Sequence, residues 1–243
     1  MDSGFYAACA GLRARTQTLD LIANNVANLD TVGYRGEQPS FSSLLMNAVG
    51  GQSGLLVQAI NNFNVLESSH VDVSPGNLVR TGNSFDLAIE GSGFFAVQGN
   101  SGTVYTRDGN FQLSSKGQLV TSRGELVLGE QGGAIVLPNA PLTISSNGTI
   151  SVEGAIASRI KLVDLDPSSV HPLGNGRYAA SGSVRPAASS YVRQGMLESS
   201  NVNAVSAVTD LISVQRHAEM LERAMTLFHS NLNHIAASDL PHI

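Results

Sequence analysis

The sequence predicts an α+β protein in which long N- and C-terminal helices pair as a coiled-coil-like discontinuous domain around a central antiparallel β domain. Three observations carry this expectation. Apolar residues recur at alternating steps of three and four at both ends. In the middle the period falls to two. Turn residues then punctuate short apolar runs every several positions. The chain divides accordingly into an N-terminal helix (1–36), a connector (37–79), the β domain (80–194) and a C-terminal helix (195–243).

At the N-terminal end Phe5, Ala8, Leu12, Leu19, Ile22, Val26 and Leu29 keep the three-four rhythm, with Arg15 the one polar residue on the seam. Asp2 or Ser3 can cap the start, and the stretch from Asn28 to Gly33 supplies a stop. The C-terminal seam runs without interruption through Ala204, Ala207, Leu211, Val214, Ala218, Leu221, Met225, Phe228, Leu232 and Ile235. Asn203 is placed to cap it, and Pro241 lies beyond its end. About 32 helical residues at about 1.5 Å each make a rod of roughly 48 Å, which is long for a globular protein. The expectation is that helices over 3–30 and 203–236 pack together. One such pair is marginal by itself, because backbone ordering offsets most of what seam burial contributes. It gains when neighbouring chains cover its other faces.

Between the helices, Phe85, Leu87 and Ile89 alternate with Asp86, Ala88 and Glu90, the pattern of a half-buried strand. Gly91-Ser92-Gly93, Asn100-Ser101-Gly102, Asp108-Gly109, Lys116-Gly117 and Arg123-Gly124 then separate the runs FFAV, TVYT, FQL, QLVT and ELVL. Asp108-Gly109 reads as a type I′ hairpin turn, which needs positive φ at both central residues. The connector is rich in Ser, Asn, Gly and Gln and reads as partly structured.

Only 14% of the residues are charged against 42% hydrophobic, and the net charge is −5. Low charge suits a subunit whose surface is largely covered by an assembly. Without a basic stripe, a nucleic-acid partner is not expected. The single cysteine, Cys9, excludes an internal disulfide and a cysteine-based zinc site. It lies beside the seam as a small packing residue. No apolar run has the 18 or more residues of a membrane span, so direct membrane insertion is not expected. The first residues lack the basic start and unbroken apolar core of a cleaved secretory signal.

No catalytic, metal or cofactor site is expected. His217, His229 and His234 fall on the C-terminal helix without an HExxH pattern. Glu90 and Asp108 sit where turns need them, so they make poor glycosidic carboxylates. Neither GxSxG nor a P-loop occurs, and no helix follows Gly91-Ser92-Gly93 to receive a phosphate. The amides of Asn24, Asn25 and Asn28 are placed to cap a helix end and bond across to neighbours.

Three segments carry a resemblance. NNVANLDTVGYR (Asn24 to Arg35) resembles the N-terminal motif of flagellar rod and hook proteins, matching at Asn24, Asn25, Ala27, Asn28, Thr31, Gly33 and Tyr34. TGNSFDLAIEGSGFFAV (Thr81 to Val97) with YTRDGNFQLSSKGQLVTSRGELVLG (Tyr105 to Gly129) is similar to the β domain of that family. GMLESSNVNAVSAVTDLISVQR (Gly195 to Arg216) is similar to its C-terminal motif. One departure stands at Gln215-Arg216-His217-Ala218, where the family commonly places an aromatic ring.

The resemblance implies a structural subunit of the basal-body rod, with no enzymatic activity, polymerising through its terminal helices into an axial drive shaft. Partners would be copies of itself, other rod and hook-basal-body proteins and the flagellar export apparatus. The rod would cross the periplasm, its subunits exported without a cleaved signal. The length and ending are more similar to the proximal-rod branch than to the distal-rod branch, which stays as the alternative. The outer domain of the longer hook proteins is absent. A secreted adhesin or carbohydrate-binding β protein is the alternative from another class, and it leaves both seams unexplained. The residues assigned to assembly are Phe5, Ala8, Leu12, Leu19, Ile22 and Val26 on the first helix. On the last they are Leu211, Val214, Leu221, Met225, Phe228, Leu232 and Ile235.

Overall fold

A computed structural model describes residues 2–43, 64–99, 102–187 and 189–238. The chain forms two compact units, each assembled from separated stretches of sequence. One comprises Met1–Val26, Gln38–Ser69 and Ala204–Ile243, the other Ala27–Glu37 and His70–Asn203.

The first unit is built on two helices, α1 (Asp2–Ala27) and α2 (Ala204–Ser238). Helix α1 stops where its sequence turns to Asn28, Asp30 and Gly33, so Leu29 lies beyond the helix. The amide of Thr31 donates to the Asn28 carbonyl at 3.2 Å, and the Thr31 hydroxyl donates to Asn28 Oδ1 at 3.1 Å. On α2 the buried positions are Ala207, Val214 and Ala218, with Leu211, Leu221 and Met225 half-buried. On α1 the deepest positions are Ala14 and Thr18, one residue before Arg15 and Leu19. The Thr18 hydroxyl meets the Ala14 carbonyl at 2.8 Å, which removes its need for water. A Cβ added at Gly11 would lie 3.6 Å from Leu221 Cδ1, and Cys9 Sγ lies 3.5 Å from Met225 Sδ. These pairs descend along α2 as they ascend along α1, as antiparallel helices require. Strands β1 (Glu37–Ser43) and β2 (Asn64–Val71) pair with each other within the stretch read as connector.

The second unit is antiparallel β. Its largest sheet joins β5 (Phe94–Gly99), β6 (Gly102–Thr106), β7 (Phe111–Leu113), β8 (Leu119–Thr121) and β9 (Leu126–Val127). To these it adds β13 (Leu162–Asp164), β14 (Val170–Gly174), β15 (Arg177–Ala180) and β16 (Arg185–Pro186). A smaller sheet has the order β10 (Leu142–Ile144), β11 (Thr149–Val152), β12 (Ala155–Arg159). Two further ladders reach forward along the chain. Strand β3 (Leu78–Arg80) pairs with β18 (Met196–Glu198), and β4 (Leu87–Glu90) pairs with β17 (Tyr191–Gln194). The main core gathers Leu87, Ile89, Phe95, Val97, Phe111, Leu119 and Ile150, with Phe95 and Phe111 edge-on at 5.0 Å.

Two local expectations are corrected. Strand β4 is buried on both faces, since Leu87, Ala88 and Ile89 all lie in the interior and only Glu90 is exposed. Asp108-Gly109 is not a type I′ turn, for β6 and β7 do not pair and Gly109 does not have a positive φ. Gly109 is needed for close approach instead, because a Cβ there would fall 1.6 Å from the Leu87 carbonyl oxygen. The turns with positive φ at both residues are Asn175-Gly176 (58° and 69°) and Glu153-Gly154 (52° and 85°).

Candidate assembly site: a buried ionic knot

The chain leaving α1 and the chain approaching α2 run side by side through the β unit. The Gly33 amide donates to the Glu198 carbonyl at 2.7 Å. The Gly36 amide donates to Asn201 Oδ1 at 2.8 Å, while Asn201 Nδ2 donates to the carbonyls of Asp72 (2.9 Å) and Ser74 (3.0 Å). One asparagine side chain therefore bonds three backbone groups on two separate stretches of chain. Gly33 is required here. Its φ is +64°, and a Cβ would stand 2.3 Å from the Arg107 carbonyl carbon.

Beneath these backbone bonds lies Glu198, fully buried. Its Oε1 receives Arg35 Nη2 at 2.6 Å and the Gly76 amide at 2.8 Å, and its Oε2 receives Arg107 Nη1 at 3.0 Å. All three charged side chains are 0% exposed. Arg107 also donates to the carbonyls of Ile89 (3.1 Å) and Gly91, and its guanidinium lies 5.1 Å from the centre of the Phe94 ring. Phe94 meets Tyr178 edge-on at 5.7 Å, and the Tyr178 hydroxyl accepts the Arg35 amide at 2.9 Å.

Two guanidiniums face one carboxylate directly, and Asp164 adds a second, more distant negative charge that acts on Arg107. Burial pushes Arg107 down to about 10, while Glu198 pulls it back up. Burial also raises the Tyr178 hydroxyl to about 12 and holds Tyr34 well above the usual phenol range. Arg35 Nε and Nη1 and Arg107 Nε have no hydrogen-bond partner among the described residues. Such a cluster is a poor source of stability, since well-packed apolar side chains of similar volume often do as well or better. Its value is geometric. It fixes where each chain passage lies.

The family-motif positions fall on both sides of this site. Asn24 and Asn25 are on α1, Asn28 and Thr31 form its closing turn, and Gly33 and Tyr34 enter the β unit beside Arg35. Of the seam residues, Leu12, Leu19, Ile22 and Val26 are half-buried on α1; Val214 is buried and Leu211, Leu221 and Met225 half-buried on α2. The side chains of Phe5, Ala8, Phe228, Leu232 and Ile235 lie outside the described residues. Sequence reasoning missed Arg35, Arg107 and Glu198 as a group. The available signal was that each lies in one of the three family-like segments, in a chain with few charges.

Comparison with known proteins accounts for those same three segments. Residues 5–35 match the family described as flagella basal body rod protein. Residues 88–152 match the flagellar hook protein FlgE/F/G D1 domain, and 193–236 the flagellar basal body rod FlgEFG protein C-terminal family. The chain is 34% identical over 233 residues to the flagellar basal-body rod protein FlgF of Caulobacter vibrioides, covering 93% of each chain. It is 32% identical over 251 residues to FlgF of Salmonella typhimurium, covering 95% of this chain and 96% of that one. The chain belongs to the flagellar basal-body rod protein family. It is similar as well to FlgG of Bacillus subtilis, at 30% identity over 245 residues and 91% of this chain. Membership makes the chain a FlgF-like structural subunit of the rod rather than an enzyme, and it displaces the adhesin reading. Each matched segment supplies one member of the knot: Arg35, Arg107 and Glu198.

Proposed function

We propose that this rod subunit polymerises through α1 and α2, paired in a coiled-coil-like manner, to form the inner wall of an axial drive shaft. The terminal helices do the assembling, the β domain of 80–194 faces outward, and the 37–79 stretch connects the two. The observation that carries this reading is the shared helical unit, in which Cys9 meets Met225 and Gly11 faces Leu221 although they stand at opposite ends of the sequence. The knot then acts as the anchor. It holds the passages that lead to both helices at fixed positions in the β unit.

The proximal part of the rod is the favoured place, on the FlgF-like overall match, with the distal rod as the alternative. Partners are copies of the chain, other rod and hook-basal-body proteins and the flagellar export apparatus, reached without a cleaved signal. The deciding experiment is a deletion strain complemented with the wild-type chain or with Ala218→Asp. Wild type is expected to restore rod and hook completion. Ala218→Asp places a charge at a buried seam position and is expected not to. Hooks and filaments in the uncomplemented deletion would overturn the proposal. N-terminal sequencing of the assembled subunit tests export, and loss of some twenty residues would contradict it.

A further inference from the structure

A groove of about 400 Å³ opens on the β unit, lined in part by Tyr105, Arg159, Lys161, Val184, Arg185 and Tyr191. Arg159 is engaged there, with Nη1 3.4 Å from the Glu130 carboxylate and Nε donating to the Asn147 carbonyl at 3.1 Å. Lys161, half-buried, and Arg185 have no ion-pair partner within 4.0 Å among the described residues. Asp166 feels the Arg185 charge only from beyond that range. Beside the two cations Val184 and Tyr191 present apolar surface, 37% and 53% exposed. The groove suits a carboxylate that carries an aliphatic side chain next to it.

The β11–β12 hairpin of the same unit offers that combination. Glu153 stands at its tip, exposed and outside any ion pair among the described residues. Three residues on, Ile156 is 77% exposed, more than any other large apolar side chain described. Strand β12 is the edge of its sheet, and only its far end is tied down, where the Glu130 amide meets the Arg159 carbonyl at 2.9 Å. An exposed isoleucine on an open edge is a surface that proteins ordinarily cover. Strand β12 runs away from the tip toward Arg159 at the groove, roughly 13 Å along an extended chain, so the tip cannot fold back into its own groove.

We propose that the Glu153–Ile156 tip of one copy docks in the Lys161/Arg185 groove of the next. Knob and groove are different patches of one unit, so the contact is heterologous, and contacts of that kind propagate into open chains. The inference rests on the rod-subunit reading. A carboxylated glycan would match the two cations too. A partner fixed outside the rotating rod would brake it, whereas a neighbouring copy turns with it.

The test mixes two full-length chains in a Cys9→Ala background, one carrying Ile156→Cys and the other Val184→Cys, which leaves Glu153, Lys161 and Arg185 in place, each first shown to melt like the parent. An oxidised heterodimer is expected, and Asn175→Cys at another exposed turn should not replace Ile156→Cys. Adding Lys161→Glu to the groove chain should lower the yield roughly tenfold or more. Adding Glu153→Lys to the knob chain should restore it. No heterodimer, no effect of the reversal, or no restoration overturns the proposal. Saturable binding of a soluble uronic-acid oligosaccharide that Lys161→Glu abolishes would assign the groove to glycan instead. Normal swimming by cells carrying Glu153→Lys, with no heterodimer, removes this contact and leaves the rod reading standing. Intact rods in the deletion strain would sink the rod reading itself.

Discussion

The amide of Gly33 donates to the carbonyl of Glu198 at 2.7 Å, and the side chain of that same Glu198 receives Arg35 at 2.6 Å. Backbone and side chain of one residue thus hold both the position and the charge of the N-terminal passage. Gly33 can occupy this place only because it lacks a Cβ, which would strike the Arg107 main chain, and Arg35 meets the carboxylate two residues later. Main-chain geometry and electrostatics specify the same arrangement.

Removing Glu198 leaves two buried guanidiniums without their counter-ion. Glu198→Ala is expected to destabilise the β unit by about 3–5 kcal/mol. Glu198→Gln keeps the shape and one acceptor and should lose less. The triple replacement Arg35→Met, Glu198→Leu, Arg107→Met should recover most of the melting temperature, yet assemble poorly if the knot acts through geometry. Thermal melts and rod assembly of the three variants separate the two contributions. Full assembly by the triple variant would show that the charges do not position the passages.

Gly33→Ala introduces both a clash with the Arg107 main chain and strain at φ +64°. Gly109→Ala drives a methyl into the Leu87 carbonyl. Both are expected to lower the urea midpoint strongly, whereas Gly124→Ala, whose added Cβ meets nothing within 4 Å, should show only the milder strain of its φ of +84°. Equal losses at the three positions would mean that close approach is not what these glycines serve.

Alkali should loosen the β unit in a defined window. The Tyr178 hydroxyl is raised from 10.0 to about 12 by burial, so the fold holds it neutral after the unfolded chain would have ionised it. Its contribution is complete below about pH 10 and is lost as pH rises through the folded value. Tyr34 acts in the same direction. Tyr178→Phe should be less stable at pH 8, because the Arg35 amide loses its acceptor, by about 1–3 kcal/mol. It should also show a shallower decline between pH 10 and 12. Urea midpoints across that range check both, and an unchanged slope would remove Tyr178 from the alkaline transition.

Cysteines at Gly11 and Leu221, in a Cys9→Ala background, should form an intrachain disulfide, since a Cβ at Gly11 lies 3.6 Å from Leu221 Cδ1. Moving the second cysteine to the exposed Glu222 should abolish it. Bonding at both positions with similar yield would mean that α2 has no fixed face toward α1.

Much of this architecture was legible because periodicity reports burial. On α2, Ala207, Val214 and Ala218 of the expected seam are buried and Leu211, Leu221 and Met225 half-buried, whereas Ala204, at its start, is exposed. Lys116-Gly117 and Arg123-Gly124 are turns, as read, and the structure adds a positive φ at each glycine. The deepest line of α1 escaped, because Gly11, Ala14 and Thr18 are small or polar, and close approach of helices leaves no hydrophobic signature. Gly109 was misread for a related reason: Asp-Gly advertises a hairpin, while this glycine answers to a carbonyl far away in sequence. The knot was legible only as three charged residues in three family-like segments. Nothing local to Arg35, Arg107 or Glu198 says that they meet, since their pairing is a property of the β3–β18 and β4–β17 ladders.

Those ladders also set an order of events during synthesis. Glu198 lies on β18, the last strand of the β unit to leave the ribosome, while Arg35 and Arg107 appear long before it. Until residue 198 is made, closing the unit would bury two guanidiniums without the carboxylate that both of them contact. A chain cut short before that point therefore lacks the one group that Arg35, Arg107 and the Gly76 amide share.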